Sequence, residues 1–384
     1  MDNIIRSAME KAKSESPFNG ELEQLLAEHR AVIKVCGVGG GGGNTINRMS
    51  EIGIEGAELI AINTDAQDLI KIKADKKILI GRDITGGLGA GADPAVGEAA
   101  AKENEQDIKE KLLGADLVFV TCGLGGGTGT GAAPVVAEVA KKLGALTIGV
   151  VTLPFEMEGE MRWANAKAGL EKFEGIVDTI ITIPNDKLLQ IVPDVPLNTA
   201  FKIADEILVN AVKGITETIT KPGLINLDFA DVRAVMKSGG IALIGLGESD
   251  SESRATEAVQ KALNNPLLDV DVTGATGALI EVVGGPEMTL EEARQVVSTV
   301  TDKLDPDARV IWGAQIEDSL KNSLRVLLIV TGVSSSQVTG RGRQVREKGK
   351  DKLRNELGIE FIGVEGGSRV GEGKDILEEL PESI

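Results

Sequence analysis

Tyrosine is missing from this 384-residue chain, histidine occurs once, at His29, and cysteine twice, at Cys36 and Cys122. A single histidine near the N-terminus excludes triads, metal centres and general bases built on imidazole. Two cysteines, each beside a glycine-rich stretch, supply neither a disulfide framework nor metal-ligand spacing, and a reducing cytoplasm is the plain expectation. No apolar run reaches the roughly 18 residues needed to span a bilayer, and no signal-peptide pattern starts at Met1. Direct membrane insertion is therefore not expected. Basic residues are in deficit: 41 Lys and Arg stand against 59 Asp and Glu, a net charge of -18. That balance argues against nucleic acid and anionic membrane as partners. Aromatics make up only 2% of the chain, so Ile, Val, Leu and Ala must fill the interior.

What is present is a long alternation of apolar runs and helical stretches. Two domains are expected at this length, since single cores stop growing at roughly 250–300 residues. Runs at 31–36, 57–62, 76–80, 115–121, 145–152 and 178–183 read as buried parallel strands, and 99–113 and 132–143 as crossover helices. Ala200, Ile203, Ala204, Ile207, Leu208, Ala211 and Ile215 fall at helical spacing and predict a long helix over 198–219, ended by Lys221-Pro222-Gly223. Strands recur at 241–246, 277–283, 308–315 and 325–332, with helices near 251–264 and 289–303, which makes a second, smaller α/β domain. Residues 1–30 are charged and loosely amphipathic and read as a helical extension. From Ser334 the composition turns to glycine and charge: 341–354 carries seven Lys/Arg against two acids, and 375–382 one Asp and three Glu. Such a segment reads as a flexible tail. The expected division is 1–30, 31–197, a central helix at 198–221, 222–333, and the tail at 334–384.

The most informative stretch is Gly125-Gly126-Gly127-Thr128-Gly129-Thr130-Gly131. It follows the strand run Leu117–Val120 and precedes the helical Pro134–Val139. A strand, a glycine loop and a helix start aim backbone N–H groups at an anion, and the threonines add hydroxyl donors, so a phosphate site is expected. A second cluster, Gly37-Val38-Gly39-Gly40-Gly41-Gly42-Gly43-Asn44, contains Gly37-x-Gly39-x-x-Gly42, the dinucleotide fingerprint, directly after the first strand. So glycine-rich a run satisfies many patterns, and a cofactor site and a tight packing loop both stay open there. Asp65, in Asn63-Thr64-Asp65-Ala66, stands where the ribose-binding acid of such a site belongs. A third run, Gly86-Gly87-Leu88-Gly89-Ala90-Gly91, lies at another strand-to-helix junction. Three glycine loops at successive strand ends exceed the needs of packing and of a dinucleotide, and suit a nucleoside triphosphate cradled by backbone. No G-x-x-x-x-G-K-[ST] occurs, so there is no P-loop lysine.

Taken together, Gly37–Asn44, Asn63–Ala66, Gly125–Gly131 and Asn226-Leu227-Asp228-Phe229-Ala230-Asp231 resemble the FtsZ family, the prokaryotic relatives of tubulin. Gly125–Gly131 is similar to the tubulin signature itself. The likeness keeps order and spacing over about 31–333, including Ile183–Leu188 and Pro222–Ile225, and leans to archaeal members. It implies the tubulin/FtsZ fold: a Rossmann-like, parallel-sheet GTP-binding domain (31–197) joined by the long central helix to a smaller α/β domain (222–333) that activates the GTPase. It also implies a cell-division GTPase that assembles into head-to-tail filaments at a mid-cell ring. Gly40, Gly41, Gly42, Gly43 and Asn44 would pass under the phosphates, with Asn63 and Asp65 in the same pocket. Gly127, Thr128 and Gly129 would cradle the β- and γ-phosphates, and Ala90, Gly91 and Ala92 would sense the γ-phosphate. Glu158 and Arg162 match positions near ribose and base, Phe201 would stack on guanine, and Asp205 would accept from its N1–H and N2–H₂. Asn226, Asp228 and Asp231 would act on the nucleotide of the neighbouring subunit, so hydrolysis would require assembly. The implied ligands are GTP and GDP with Mg²⁺ held mainly through phosphates; whether K⁺ supports hydrolysis is left open. In the tail, Leu357–Ile362 or Asp375–Leu380 would dock on a membrane-tethering division protein such as a SepF-like anchor, although the bacterial form of that peptide is not recognisable.

Plainer readings stand beside these roles. Glu158 and Arg162 read equally as an i,i+4 ion pair on a helix, Phe201 as core, and Asp205 as a helix-surface acid. Asp228 with Asp231 suits a helix N-cap, and the tail suits a solubilising segment with no ligand. Two rival functions are weaker. A Rossmann oxidoreductase leaves Gly125–Gly131 unexplained and offers no His or Tyr for proton transfer. A nucleotide-binding polymer without turnover leaves the carboxylates at 228 and 231 without a task.

Overall fold

The computed structural model describes residues 31–187, 196–221, 223–225, 227–237, 239–268 and 275–333. Residues 1–30, Pro222, Asn226 and the tail at 334–384 lie outside the described residues. The chain runs β1 (Ile33–Val38), α1 (Gly39–Ile52), β2 (Ala57–Asn63), α2 (Ala66–Lys71), β3 (Lys76–Leu79), a short α3 (Arg82–Thr85), α4 (Pro94–Glu103), α5 (Glu105–Leu112), β4 (Leu117–Gly123), α6 (Thr128–Lys142), β5 (Leu146–Leu153), α7 (Glu160–Glu174) and β6 (Thr179–Pro184). There follow α8 (Leu197–Thr220), α9 (Phe229–Met236), β7 (Gly240–Ser249), α10 (Arg254–Leu263), β8 (Gly277–Gly284), α11 (Leu290–Thr301), β9 (Arg309–Ile316) and β10 (Leu324–Val333).

Every apolar run expected as a strand forms one, because a strand buried on both faces needs an unbroken apolar stretch; all six residues of β1 are buried. The strands make one sheet in the order β3-β2-β1-β4-β5-β6-β7-β10-β8-β9. Its first six strands are parallel, in the 3-2-1-4-5-6 order of nucleotide-binding α/β folds. β7 joins β6 over only Thr179↔Gly240 to Ile181↔Ala242, whereas β10 runs antiparallel between β7 and β8 along its whole length. The α/β architecture expected from the sequence is the one found.

Some helix limits differ from expectation, for local reasons. The stretch expected at 99–113 is two helices. α4 starts at Pro94, where the Asp93 side chain accepts from the Ala95 N–H. It stops at Asn104, whose side-chain carbonyl accepts from the Gly81 N–H at 2.9 Å instead of serving a helix interior. α6 begins at Thr128, so half of the glycine signature is helix, not loop. Gly39–Gly43 likewise form the first turn of α1.

Packing divides the helices between the faces. α1 and α8 cover one face through Ile46 and Met49 against Leu208, Val209 and Val212. The other face takes α4 to α7 through Ala100, Ile108, Val136 and Leu170. Val259 of α10 and Val296 of α11 cover β8 and β10. α8 also bridges the two parts of the sheet, since Ala211 and Ile215 share a cluster with Leu279 and Leu327. It starts beside α1 and ends at the foot of β2, where Lys221 pairs with Glu55 at 3.4 Å and Gly56 backs onto Thr220.

Glu281 is a cost built into this packing. It lies on β8, only 4% exposed, against Gly214 of α8. Burial pushes its carboxyl up to about 7 although the Thr218 hydroxyl pulls it down. The native state then keeps this proton longer than the unfolded chain, so the contribution of Glu281 to stability is greatest below pH 4.5 and declines as pH rises toward 7. Glu281→Gln removes the decline. Its unfolding free energy relative to the parent protein should improve by about 3 kcal/mol between acid pH and pH 8, measured by denaturant titration.

Candidate nucleotide site

The glycine loops converge at the C-terminal edge of β1, β2 and β4, where strand order reverses and α1 and α6 leave on opposite faces. That crevice is where open α/β sheets bind ligands. Several contacts knit it together. The Gly127 N–H donates to the Gly91 carbonyl at 3.1 Å, and the Gly89 N–H to the Thr64 carbonyl at 3.2 Å. The hydroxyls of Thr64 and Thr128 share a hydrogen bond of 2.7 Å. Gly39 and Gly41 back onto Gly129 and Gly123, where a Cβ would lie 2.8 and 3.1 Å from the respective backbone nitrogens, so Gly40–Asn44, Asn63–Asp65, Ala90–Ala92 and Gly127–Gly129 share one neighbourhood.

The glycines serve two different ends. A Cβ on Gly42 would lie 2.5 Å from the Thr121 carbonyl, one on Gly127 2.6 Å from that of Gly91, and one on Gly129 2.7 Å from that of Gly123. Those glycines are required by packing between helix starts and strand ends. Gly39, at φ +72, turns the chain from β1 into α1 in a conformation that other residues resist. Gly126 differs: a Cβ there meets nothing within 4 Å, and one on Gly40 meets only Asp68 Oδ2 at 3.6 Å. No protein atom requires glycine at these two positions. The expectation that three glycine loops exceed the needs of packing is thus corrected for Gly42, Gly127 and Gly129, and stands for Gly40 and Gly126.

The flanking residues complete the rim. Asn63 is 3% exposed and its side chain is engaged internally, accepting from the Thr64 N–H and donating to Asp68 Oδ2. Asp65 caps α2, accepting from the N–H groups of Gln67 and Asp68. Ala90 is buried while Gly91 and Ala92 are exposed, and Asn165 of α7 donates to the Ala92 carbonyl at 3.0 Å. Arg162 pairs with Glu158 at 3.1 Å, but Glu158 ends a 3₁₀ turn (Glu156–Glu158) and precedes α7, so the two do not share a helix. Phe201 is 40% exposed and sets its ring edge-to-face on buried Phe155, centroids 5.3 Å apart, so it is not a core residue. Asp205 accepts from the Thr45 hydroxyl at 3.2 Å; burial pushes its carboxyl up to about 6, against the pull of that hydroxyl and of Arg48.

Asp228 and Asp231 lie elsewhere. Asp228 caps α9, its carboxylate accepting from the Asp231 N–H at 2.8 Å, so the capping arrangement is present, and both residues are exposed. Arg233 of α9 donates to the Gly144 carbonyl at the foot of β5. α9 therefore packs at the N-terminal edge of the sheet, opposite the glycine loops. From Asp205 to Thr220 α8 alone rises roughly 22 Å at about 1.5 Å per residue. Asn226 lies outside the described residues.

Residues 32–193 match the family model described as Tubulin/FtsZ family, GTPase domain, and residues 240–334 that of the FtsZ family, C-terminal domain. Cell division protein FtsZ 1 of Archaeoglobus fulgidus is 58% identical over 372 residues, spanning 94% of this chain and 99% of that protein. The chain belongs to the FtsZ family. It is accordingly a tubulin-like cell-division GTPase that binds guanine nucleotide. FtsZ 1 of Methanocaldococcus jannaschii is 62% identical over 320 residues, 83% of this chain and 88% of that protein. A solved structure titled "FtsZ dimer, empty (M. jannaschii)" superposes with a TM-score of 0.81 at 62% identity, over 84% of this chain and 94% of that one. The GTPgS-bound CetZ2 protofilament of Haloferax volcanii reaches 0.70 at 22% identity, over 83% and 99%, a likeness of fold alone.

For this FtsZ-family site, sequence reading missed Thr45, Arg48, Thr64 and Asn165. Each acts through a contact between segments far apart in the chain, and no local spacing marks them. Cys36 and Cys122 are buried, and burial pushes both thiols up to about 12, which leaves them inert.

Proposed function

We propose that the chain polymerises head to tail on GTP, that its filaments form the division ring at mid-cell, and that Asp228 and Asp231 of one subunit complete the hydrolytic site on the next. The observation that supports this is the placement of the carboxylate pair at the sheet edge opposite the glycine loops, out of reach of the chain's own nucleotide. In a head-to-tail stack that separation becomes contact, and such contacts generate open filaments. In this reading residues 31–197 bind GTP and 222–333 supply the activating acids.

The first turns of α1 and α6 present the backbone N–H groups of Gly40 and Gly41, and of Gly126, Thr128 and Gly129, to the phosphates, and helix dipoles favour the negative charge. Phe201 stacks on guanine, Asp205 accepts from its N1–H and N2–H₂, and Glu158 with Arg162 flanks the ribose. Among the described residues no group of three His, Cys, Asp or Glu side chains is placed for a metal. By phosphate chemistry Mg²⁺ would be held chiefly by phosphate oxygens and water and would neutralise developing charge there. The incoming carboxylates orient a water and accept its proton as its oxygen bonds the γ-phosphorus and the bond to the β-phosphate breaks. Loss of the γ-phosphate frees the 90–92 loop and weakens the contact. Among the described residues no helix is long and apolar enough to cross a membrane, and the tail would tether filaments to a SepF-like anchor; truncation at Val333 should abolish ring placement.

The deciding experiment is GTPase rate per subunit against protein concentration, with pelleting of the same samples. A rate near zero below a threshold, rising with pelleted polymer, is expected. A constant specific rate without polymer would mean a site complete within one chain. A second prediction concerns Asp205. Its ionised form is the acceptor, so GTP affinity should be full above pH 6 and fall about tenfold per unit below it. Asp205→Asn should lose both the affinity and this pH dependence, measured by nucleotide titration between about pH 5 and 8.

A further inference from the structure

Thr45 and Arg48 stand one turn apart on α1, the helix whose first turn is Gly39–Gly43, and both reach across to α8. The Thr45 hydroxyl, on a residue only 1% exposed, lies 3.2 Å from the Gly41 carbonyl and 3.2 Å from Asp205 Oδ1. A hydroxyl carries one hydrogen, so the phosphate-side carbonyl and the base-side carboxylate compete for the same donor. Arg48 donates through Nε at 2.9 Å and Nη2 at 2.7 Å to Glu206, the residue after Asp205, and through Nη1 to Glu51 at 3.3 Å. The side chains of Arg48 and Glu206 are 42% and 39% exposed. Ion pairs so exposed contribute little to stability, and what this one supplies is orientation: a planar fork gripping the turn of α8 that carries Asp205.

We propose that Thr45 and Arg48 are positioning residues for guanine selection, the Thr45 hydroxyl aiming the Asp205 carboxylate at the base and the Arg48 fork fixing its turn through Glu206. This rests on the reading of Asp205 as the acceptor for guanine. It adds that base and phosphates are read by one helix: α1 meets the phosphates with Gly40 and Gly41 and orients the base acceptor one turn later.

The test compares GTP with ITP, which keeps N1–H but lacks the 2-amino group, as ligands of the full chain freed of nucleotide. Thr45→Val should lower the ratio of GTP to ITP affinity about tenfold, the scale of one misaimed hydrogen bond to a charged acceptor, with ITP, which offers only N1–H, losing less than GTP. Thr45→Ser, which restores the hydroxyl, should restore the ratio. Arg48→Met should move it the same way, and Arg48→Lys should recover only part, because a point charge lacks the fork. Arg48 is half-exposed, so that pair of variants keeps the test open if Thr45→Val folds poorly. Parallel losses of GTP and ITP, or a ratio that stays unchanged in both Thr45→Val and Arg48→Met, would overturn the proposal. Asp205→Asn separates the two levels. If it leaves the ratio intact, the guanine reading itself fails; if it collapses the ratio while the Thr45 and Arg48 variants do not, only the positioning role fails.

Discussion

Gly126→Val should abolish GTP binding, by at least about 10²-fold, while the protein folds and melts as before. The two halves of that expectation come from different sides of the residue. Toward the protein there is room: a Cβ meets nothing within 4 Å, and the backbone is not in the left-handed region. Toward the crevice, added methyl groups fill the space that a phosphate needs against the start of α6. Charge-assisted hydrogen bonds from backbone N–H groups to an anion contribute on the order of 1.5–3 kcal/mol each, so displacing the phosphate from two of them accounts for the loss. Gly40→Ala should show the same opposition in milder form. It sits in the first turn of a helix, where alanine gains roughly 0.5–1 kcal/mol over glycine, yet it faces the same crevice. A rise in melting temperature with weakened GTP binding, read by calorimetry and nucleotide titration, is the expected pair of results. Gly42→Ala is the contrast, since its Cβ would lie 2.5 Å from the Thr121 carbonyl, and that variant should fail to fold at all. If Gly126→Val binds GTP normally, the space before α6 is not the phosphate site.

These glycines also mark how far the sequence could be read. The strands were legible because each is an apolar run long enough for one buried strand and bounded by polar or glycine-rich segments, as with Leu117–Gly123. The proposal of a phosphate cradle rests on a compositional trace, a density of glycine at strand-to-helix junctions, which packing also produces at Gly42, Gly127 and Gly129. The division of labour among the glycines was not legible. Gly126 and Gly127 are adjacent and identical in sequence, yet one faces open space and the other is pressed against the carbonyls of Ala90, Gly91 and Asp93. That difference is made by the 90–93 loop, which packs against Gly127 from another part of the chain and leaves no mark in the local sequence. The same holds for Thr45 and Arg48, whose partners on α8 lie some 160 positions away in the chain. Phe201 shows the converse. As an apolar aromatic it read as core, and its edge-on contact with Phe155 and its exposure exclude that reading.

Asp231→Ala should bind GTP and assemble with little change, but its turnover should fall by about 10²–10⁴, the range expected when a group that handles the proton of an attacking water is removed. The capping geometry makes this variant cleaner than its neighbour. Asp228 holds the Asp231 N–H at the start of α9, so Asp228→Ala would lose a cap worth about 1 kcal/mol along with its carboxylate. Asp228→Asn keeps the cap and removes only the charge, and it should reproduce the Asp231→Ala defect without loss of melting temperature. The decisive measurement mixes two inactive proteins. Asp231→Ala retains a nucleotide site but lacks the acid, whereas Gly126→Val lacks the nucleotide site but retains the acid at the opposite edge of its sheet. Where a Gly126→Val subunit follows an Asp231→Ala subunit, the intact acid meets the intact nucleotide, and GTP turnover should reappear at a level set by the frequency of that junction. Restoration is possible only if the two halves of the site belong to different chains. Were the carboxylates to act on their own subunit's nucleotide, each chain in the mixture would remain defective by itself, and no ratio of the two proteins would recover the rate.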